Sequence, residues 1–307
     1  MKNINLIIIL FGCICFGQQN VKVSPAFSIL NEFDKVRDFT INQSGDEAYF
    51  SIQSQTENIS VICKSVKNTK EWGTPTIASF SGKHKDLEPF LSPDGLRLYF
   101  VSDRQLSDTI SGSKDFDIWF VERENPSKEW SKPKNIGAPI NTEHNEFYPA
   151  IAANGNLYFT SDNPKAIGRD DIFFSEFSNN SYRAPISLSE NINSEGFEYN
   201  AYISKDESYL LFGGYNREDG QGSGDIYISY KNGDAWSKAT PLPKAINSKF
   251  MDYCPFVDET TNTLYFTSRR TKGANKDFKN LGALKNFLHS YENGNSRIYK
   301  ASIDLKQ

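Results

Sequence analysis

Four carboxylates stand at one recurring position of this chain, Asp86, Glu146, Glu198 and Asp252 in the second to fifth copies, with Val36 in the first. Each precedes a short apolar run that reads as the first strand of a repeat unit. Gathered at the mouth of a shared channel, such groups bind a divalent cation, hold a cationic partner, or divide into the acid and base of a glycosidase. The regularity favours a plainer role, each carboxylate tying down a loop of the neighbouring unit. An acid and a base need different environments, and a repeated position supplies similar ones.

A second group is Arg269, Arg270, Lys272 and Lys276, extended by Lys279 and Lys285, in a chain with 34 basic against 38 acidic residues. It falls within a segment where Leu281, Leu284 and Leu288 follow helical spacing. A short basic helix there would grip an anionic glycan or an acidic protein; the alternative is a packed helix with solvated lysines. Asp219, Gln221, Ser223 and Asp225 alternate like ligands of a calcium loop, but the twelfth position holds Tyr230 where an acid is required. No cofactor is expected, and Ca²⁺ is the one candidate.

Enzyme templates are missing. There is no Gly-x-Ser-x-Gly, no His-Glu-x-x-His and no phosphate loop, and His84, His144 and His289 lack metal-ligand spacing. An enzyme built on repeats should show carboxylates, tyrosines or histidines in only one or two units. His84 and Tyr253 are the nearest to that, and both read as packing residues. No catalytic residue is assigned. Without a basic stripe, nucleic acid is excluded as a partner.

The elements that position these residues repeat. "AYF" at 48–50, "LYF" at 98–100 and 157–159, "LLF" at 210–212 and "LYF" at 264–266 are strand cores, each preceded by a turn such as "SPDG" at 92–95. Downstream come "NISVI", "DIWFV", "DIFFS", "DIYIS" and "RIYKA", then "EWGTP", "EWSKP", "SYRAP" and "AWSKATP". Asp117, Asp171 and Asp225, which open three of those strands, are expected to accept hydrogen bonds from turn backbone. The period is roughly 50–60 residues, with four strands per unit. Five such units around an axis make an all-β five-bladed propeller, the alternative being six blades. The last unit ends after its third strand, and "VKVSPAFSIL" at 21–30 is left over at the other end. It is expected to supply the missing strand and close the ring.

The motif set P-x-x-SPDG-x-x-LYF-x-SDR … DIW … W-x-x-P … IN resembles the Pro–Asp, WD40-like propeller repeats of TolB-type proteins. It does so over nearly all of the chain, and copy two (86–141) matches best. The resemblance implies an exported propeller of the bacterial cell envelope, acting as a scaffold or binding module. The opening residues fit this: Lys2, an apolar stretch 6–11 and small residues up to Gly17 read as a signal peptide, 1–17. The alternative is a lipoprotein signal with Cys13 acylated, which would place the chain on the outer membrane; only then would it touch a membrane. The remaining Cys63 and Cys254 form no disulfide framework.

The expectation is therefore one propeller domain over 18–307, with repeats near 37–85, 86–145, 146–197, 198–250 and 251–307. It is monomeric, periplasmic or secreted, and it recognises an envelope protein or an anionic polysaccharide without catalysis. The alternative is a glycosidase or polysaccharide lyase. Asp86, Glu146, Glu198, Asp252, Arg269, Arg270, Lys272 and Lys276 are the candidate binding residues.

Overall fold

A computed structural model of the protein describes residues 21–306 apart from 70, 108, 110–113 and 274–275. The signal read at 1–17 and Cys13 lie outside the described residues. Five antiparallel sheets form the ring. Their innermost strands are Lys35–Ile41, Asp86–Leu91, Glu146–Ile151, Glu198–Ile203 and Asp252–Asp258. The chain then steps outward through a second strand carrying the aromatic core motif and a third beginning at Ser60, Asp117, Asp171, Gly224 or Arg297. There are five blades and not six.

The fifth blade is completed from the N-terminus, as the leftover strands require. Val23–Pro25 pairs antiparallel with the strand Arg297–Ser302, Val23 opposite Ala301 and Pro25 opposite Tyr299. Just after it, Phe27 packs its ring 5.3 Å from Phe39, 5.7 Å from Phe50 and 5.0 Å from Trp72. The closing segment is thus anchored by both backbone and side chain.

The turn between the first two strands needs a left-handed residue. Gly95 supplies it at φ +71° in "SPDG", its N–H donating to the Ser92 carbonyl at 2.8 Å. Blades also lock sideways. Glu47 of the first blade takes two hydrogen bonds from Arg123 of the second, at 3.0 and 2.7 Å, and Trp130 donates to the Tyr49 hydroxyl at 2.7 Å. A bidentate pair of this kind fixes orientation as well as contact.

Candidate functional site

The four carboxylates of the recurrent position do not gather at a channel mouth. All are buried, and each binds the turn that leads into its own strand. Glu146 accepts from the Thr142 hydroxyl at 2.6 Å and backbone N–H at 3.2 Å; Glu198 does the same with Ser194, and Asp252 with Ser248. Asp86 accepts from Ser81 and Ser102.

An arginine after the second strand neutralises three of them, Arg104 with Asp86, Arg217 with Glu198 and Arg270 with Asp252. The third blade has Asn163 there. Burial, opposed only by the Thr142 hydrogen bonds, pushes Glu146 up to about 7.

The basic segment does form a helix, Leu281–Leu288, capped by Asn280, which accepts the Ala283 N–H at 2.9 Å. Its cations are mostly neutralised within the chain. Arg270 serves Asp252, Lys272 pairs with Glu292 and Lys279 with Asp277, while Lys276 lies over the Phe287 ring. In the loop at 219–225, Asp225 accepts from the Gln221 and Gly222 N–H groups, and Asp219 accepts from the Tyr227 hydroxyl. Asp171 likewise accepts from the Ile167 and Gly168 N–H groups, as its place before a strand predicts.

What does converge on the channel is the residue two places later. Every inner strand carries a β-bulge there, two residues facing one phenylalanine of the second strand: 38–39 opposite Phe50, 88–89 opposite Phe100, 148–149 opposite Phe159, 200–201 opposite Phe212, and 254–255 opposite Phe266. The first residue of each bulge has left-handed φ: Asp38 60°, Glu88 58°, Tyr148 48°, Asn200 59° and Cys254 52°. For non-glycine residues this conformation is strained by about 1–3 kcal/mol each. Its effect is to turn five side chains into the channel, the re-aiming that bulges perform beside functional sites.

Those side chains stitch into a ring. The Glu88 N–H donates to Asp38 Oδ2 at 3.3 Å, the Tyr148 N–H to Glu88 Oε2 at 2.9 Å, and the Cys254 N–H to Asn200 Oδ1 at 3.2 Å. Asp38 Oδ1 accepts from Arg37 Nε at 2.7 Å, the Tyr148 hydroxyl at 2.8 Å and the Cys254 thiol at 3.0 Å. Arg37 also reaches Glu88 Oε1 at 3.3 Å. Burial raises Glu88 well above the usual carboxylate range; the nearby Arg37 opposes this and Asp38 reinforces it. Burial raises the Cys254 thiol too, so it stays a hydrogen-bond donor.

Glu88, Tyr148 and Asn200 of this ring form the floor of a blind cavity of about 400 Å³, with Asp38 and Cys254 held behind them. Beneath it the channel is plugged by Phe39, Phe90, Tyr202 and Phe256, with ring centroids 5.3 to 6.4 Å apart. Above it the walls are Phe147, Phe197, Tyr199 and Tyr253, with Asp170, Glu57 and Arg269 among them. Of the eight sequence-assigned residues, Arg269 alone lines this cavity. Two polar atoms near it are unsatisfied among the described residues: Thr160 Oγ1, on a residue 2% exposed, and the Tyr199 hydroxyl. A larger cavity of about 1160 Å³ opens between the second and third blades on the opposite face, around Tyr99 and Trp130. There Arg123 is committed to Glu47, and Arg97 to Glu122.

The sequence held a signal for the ring. Glu88-Pro89, Tyr148-Pro149 and Cys254-Pro255 place proline inside a strand pattern, where only a bulge or an edge accommodates it. The asymmetry expected of an active site is present, at a position two residues from the one considered.

No family model matches the chain, and no curated protein matches it by sequence. Solved structures do. A protein described as a glycoside hydrolase shares the fold with TM-score 0.57 at 8% identity, covering 94% of this chain and 91% of its own. The catalytic domain of a Coprinopsis cinerea GH62 α-L-arabinofuranosidase gives 0.52 at 9%, covering 92% and 96%. TolB from Acinetobacter baumannii gives 0.46 at 14%, covering 88% of this chain and 55% of that one. At these identities the likeness is one of fold: the chain is a five-bladed β-propeller with structural neighbours of several kinds.

Proposed function

We propose that the chain is an exported saccharide-binding propeller whose site is the blind cavity at the end of its channel. One observation carries the reading. A single repeat position, with the same strained backbone in all five blades, holds five chemically different side chains: Asp38, Glu88, Tyr148, Asn200 and Cys254. A position that served packing alone would repeat its chemistry, as the Phe50, Phe100, Phe159, Phe212 and Phe266 column does. The cavity size lies within the range of small-ligand sites, about 300–1,000 Å³, and aromatic walls with a few aimed polar groups are their usual lining. Aromatic rings meet the C–H faces of a sugar, and the ring polar groups meet its hydroxyls. Structural neighbours described as an arabinofuranosidase and a glycoside hydrolase use the same fold on saccharides, which adds support.

The test is isothermal titration of the purified chain with oligosaccharides from arabinan, xylan, galactan, cellulose and polygalacturonate. At least one is expected to bind, with affinity lost in Phe147→Ala and Phe197→Ala and kept in Lys276→Ala and Lys285→Ala. No binding across the panel would overturn the reading. Loss confined to the lysine variants would move the site to the fifth-blade helix.

A further inference from the structure

Three carboxyl groups line the cavity: Glu57, Glu88 and Asp170. Glu57 is tied to Lys35 at 2.5 Å, with Arg269 at 3.9 Å. Glu88 sits in the floor, 4% exposed, bonded to Tyr148 and Arg37. The Asp170 backbone carbonyl accepts the Glu198 N–H at 2.8 Å, but its carboxyl has no hydrogen-bond or ion-pair partner among the described residues. The groups that act on it, after burial itself, are carboxyls: Asp162, Asp171 and Glu198. Asp38 is no rival, because it does not line the cavity and Oδ1 is already taken by three donors. One wall therefore holds an acceptor with nothing to accept from, facing the same space as a floor carboxyl in a different environment.

We infer that the cavity hydrolyses the saccharide it binds, with Glu88 as general acid and Asp170 as general base; this rests on the saccharide reading above. Glu88 gives its proton to the leaving glycosidic oxygen as the bond from that oxygen to the anomeric carbon breaks. A water oxygen forms the new bond to that carbon, and Asp170 takes the water's proton. The products are two hydroxyl-bearing sugars, and exchange with solvent restores both groups. No oxidant, reductant or metal enters the balance. Two carboxyls whose surroundings set them apart are what glycoside cleavage needs. Burial and the neighbouring carboxyls raise Asp170, which makes it a stronger proton acceptor. Asn200 directs its Oδ1 to Cys254, and its amide N–H groups make no hydrogen bond among the described residues. With Thr160 Oγ1 it offers fixed partners for sugar hydroxyls.

The experiment takes the oligosaccharide bound most tightly in the titration and incubates it with the chain, reading new reducing ends by mass spectrometry. Wild type is expected to cleave it. Glu88→Gln and Asp170→Asn are each expected to lose about 100-fold or more in rate, while binding that oligosaccharide within about tenfold of wild type. Azide should restore turnover to Asp170→Asn, while Lys285→Ala, on the fifth-blade helix outside the cavity, should keep a rate near that of wild type. A ligand that binds and stays intact overturns the inference and leaves the binding site standing, as does cleavage that survives either variant. If no oligosaccharide binds, the saccharide reading falls and this inference with it.

Discussion

Glu146 makes the stability of the propeller depend on pH. It is buried at the head of an inner strand, and its blade has Asn163 where three others place an arginine. Its carboxyl moves from 4.5 in the unfolded chain to about 7 in the fold. Because the folded value is raised, the stabilisation is complete below the unfolded value of 4.5 and is lost as pH rises through about 7. At about 1.4 kcal/mol per pH unit, the loss between those limits is about 3 kcal/mol. Urea denaturation from pH 4 to 8 of wild type and Glu146→Gln isolates this, since other groups titrate alike in both. The gap between the two should shift by about 3 kcal/mol toward the variant as pH rises. Asn163→Arg should flatten the wild-type slope over the same window. Parallel curves for wild type and Glu146→Gln would refute the reasoning.

Three further outcomes follow from packing. Phe27→Ala should cost about 3–5 kcal/mol, because the ring anchors the closing strand among Phe39, Phe50 and Trp72; a loss under about 1 kcal/mol in urea denaturation would contradict this. Asp38→Ala should cost about 3–5 kcal/mol by leaving the largely enclosed Arg37 short of its nearest carboxylate and the Tyr148 hydroxyl and Cys254 thiol without their acceptor, and an unchanged midpoint would contradict it. Gly213→Ala puts a methyl 2.6 Å from the Tyr199 ring. It should destabilise by about 1–3 kcal/mol and weaken saccharide affinity as the ring shifts in the cavity wall; thermal melting and titration that both match wild type would contradict it.

The ring of blades was legible because its signals are local. Turn residues and the Leu-Tyr-Phe strand core recur within each unit, and the leftover strand near the N-terminus meets a last blade that lacks its fourth strand. The site was less legible for a geometric reason. Asp86, Glu146, Glu198 and Asp252 stand just before the innermost strands, which line the channel, and so were placed at its mouth. The bulge that follows breaks the alternation of side chains along the strand and presents Asp38, Glu88, Tyr148, Asn200 and Cys254 instead. Periodicity cannot show a break in periodicity, although proline after three of these residues marks it. In the basic segment the lysines and arginines are adjacent in sequence, whereas the carboxylates that pair with Arg270 and Lys272 become neighbours only in the fold.

The most direct test of the central claim is a crystal structure of the chain with the oligosaccharide it binds most tightly. Sugar density within hydrogen-bond distance of Glu88 and Asn200 and against the rings of Phe147 and Phe197 is the predicted result. Density on the fifth-blade helix or between the second and third blades, with the channel cavity holding only water, would contradict it.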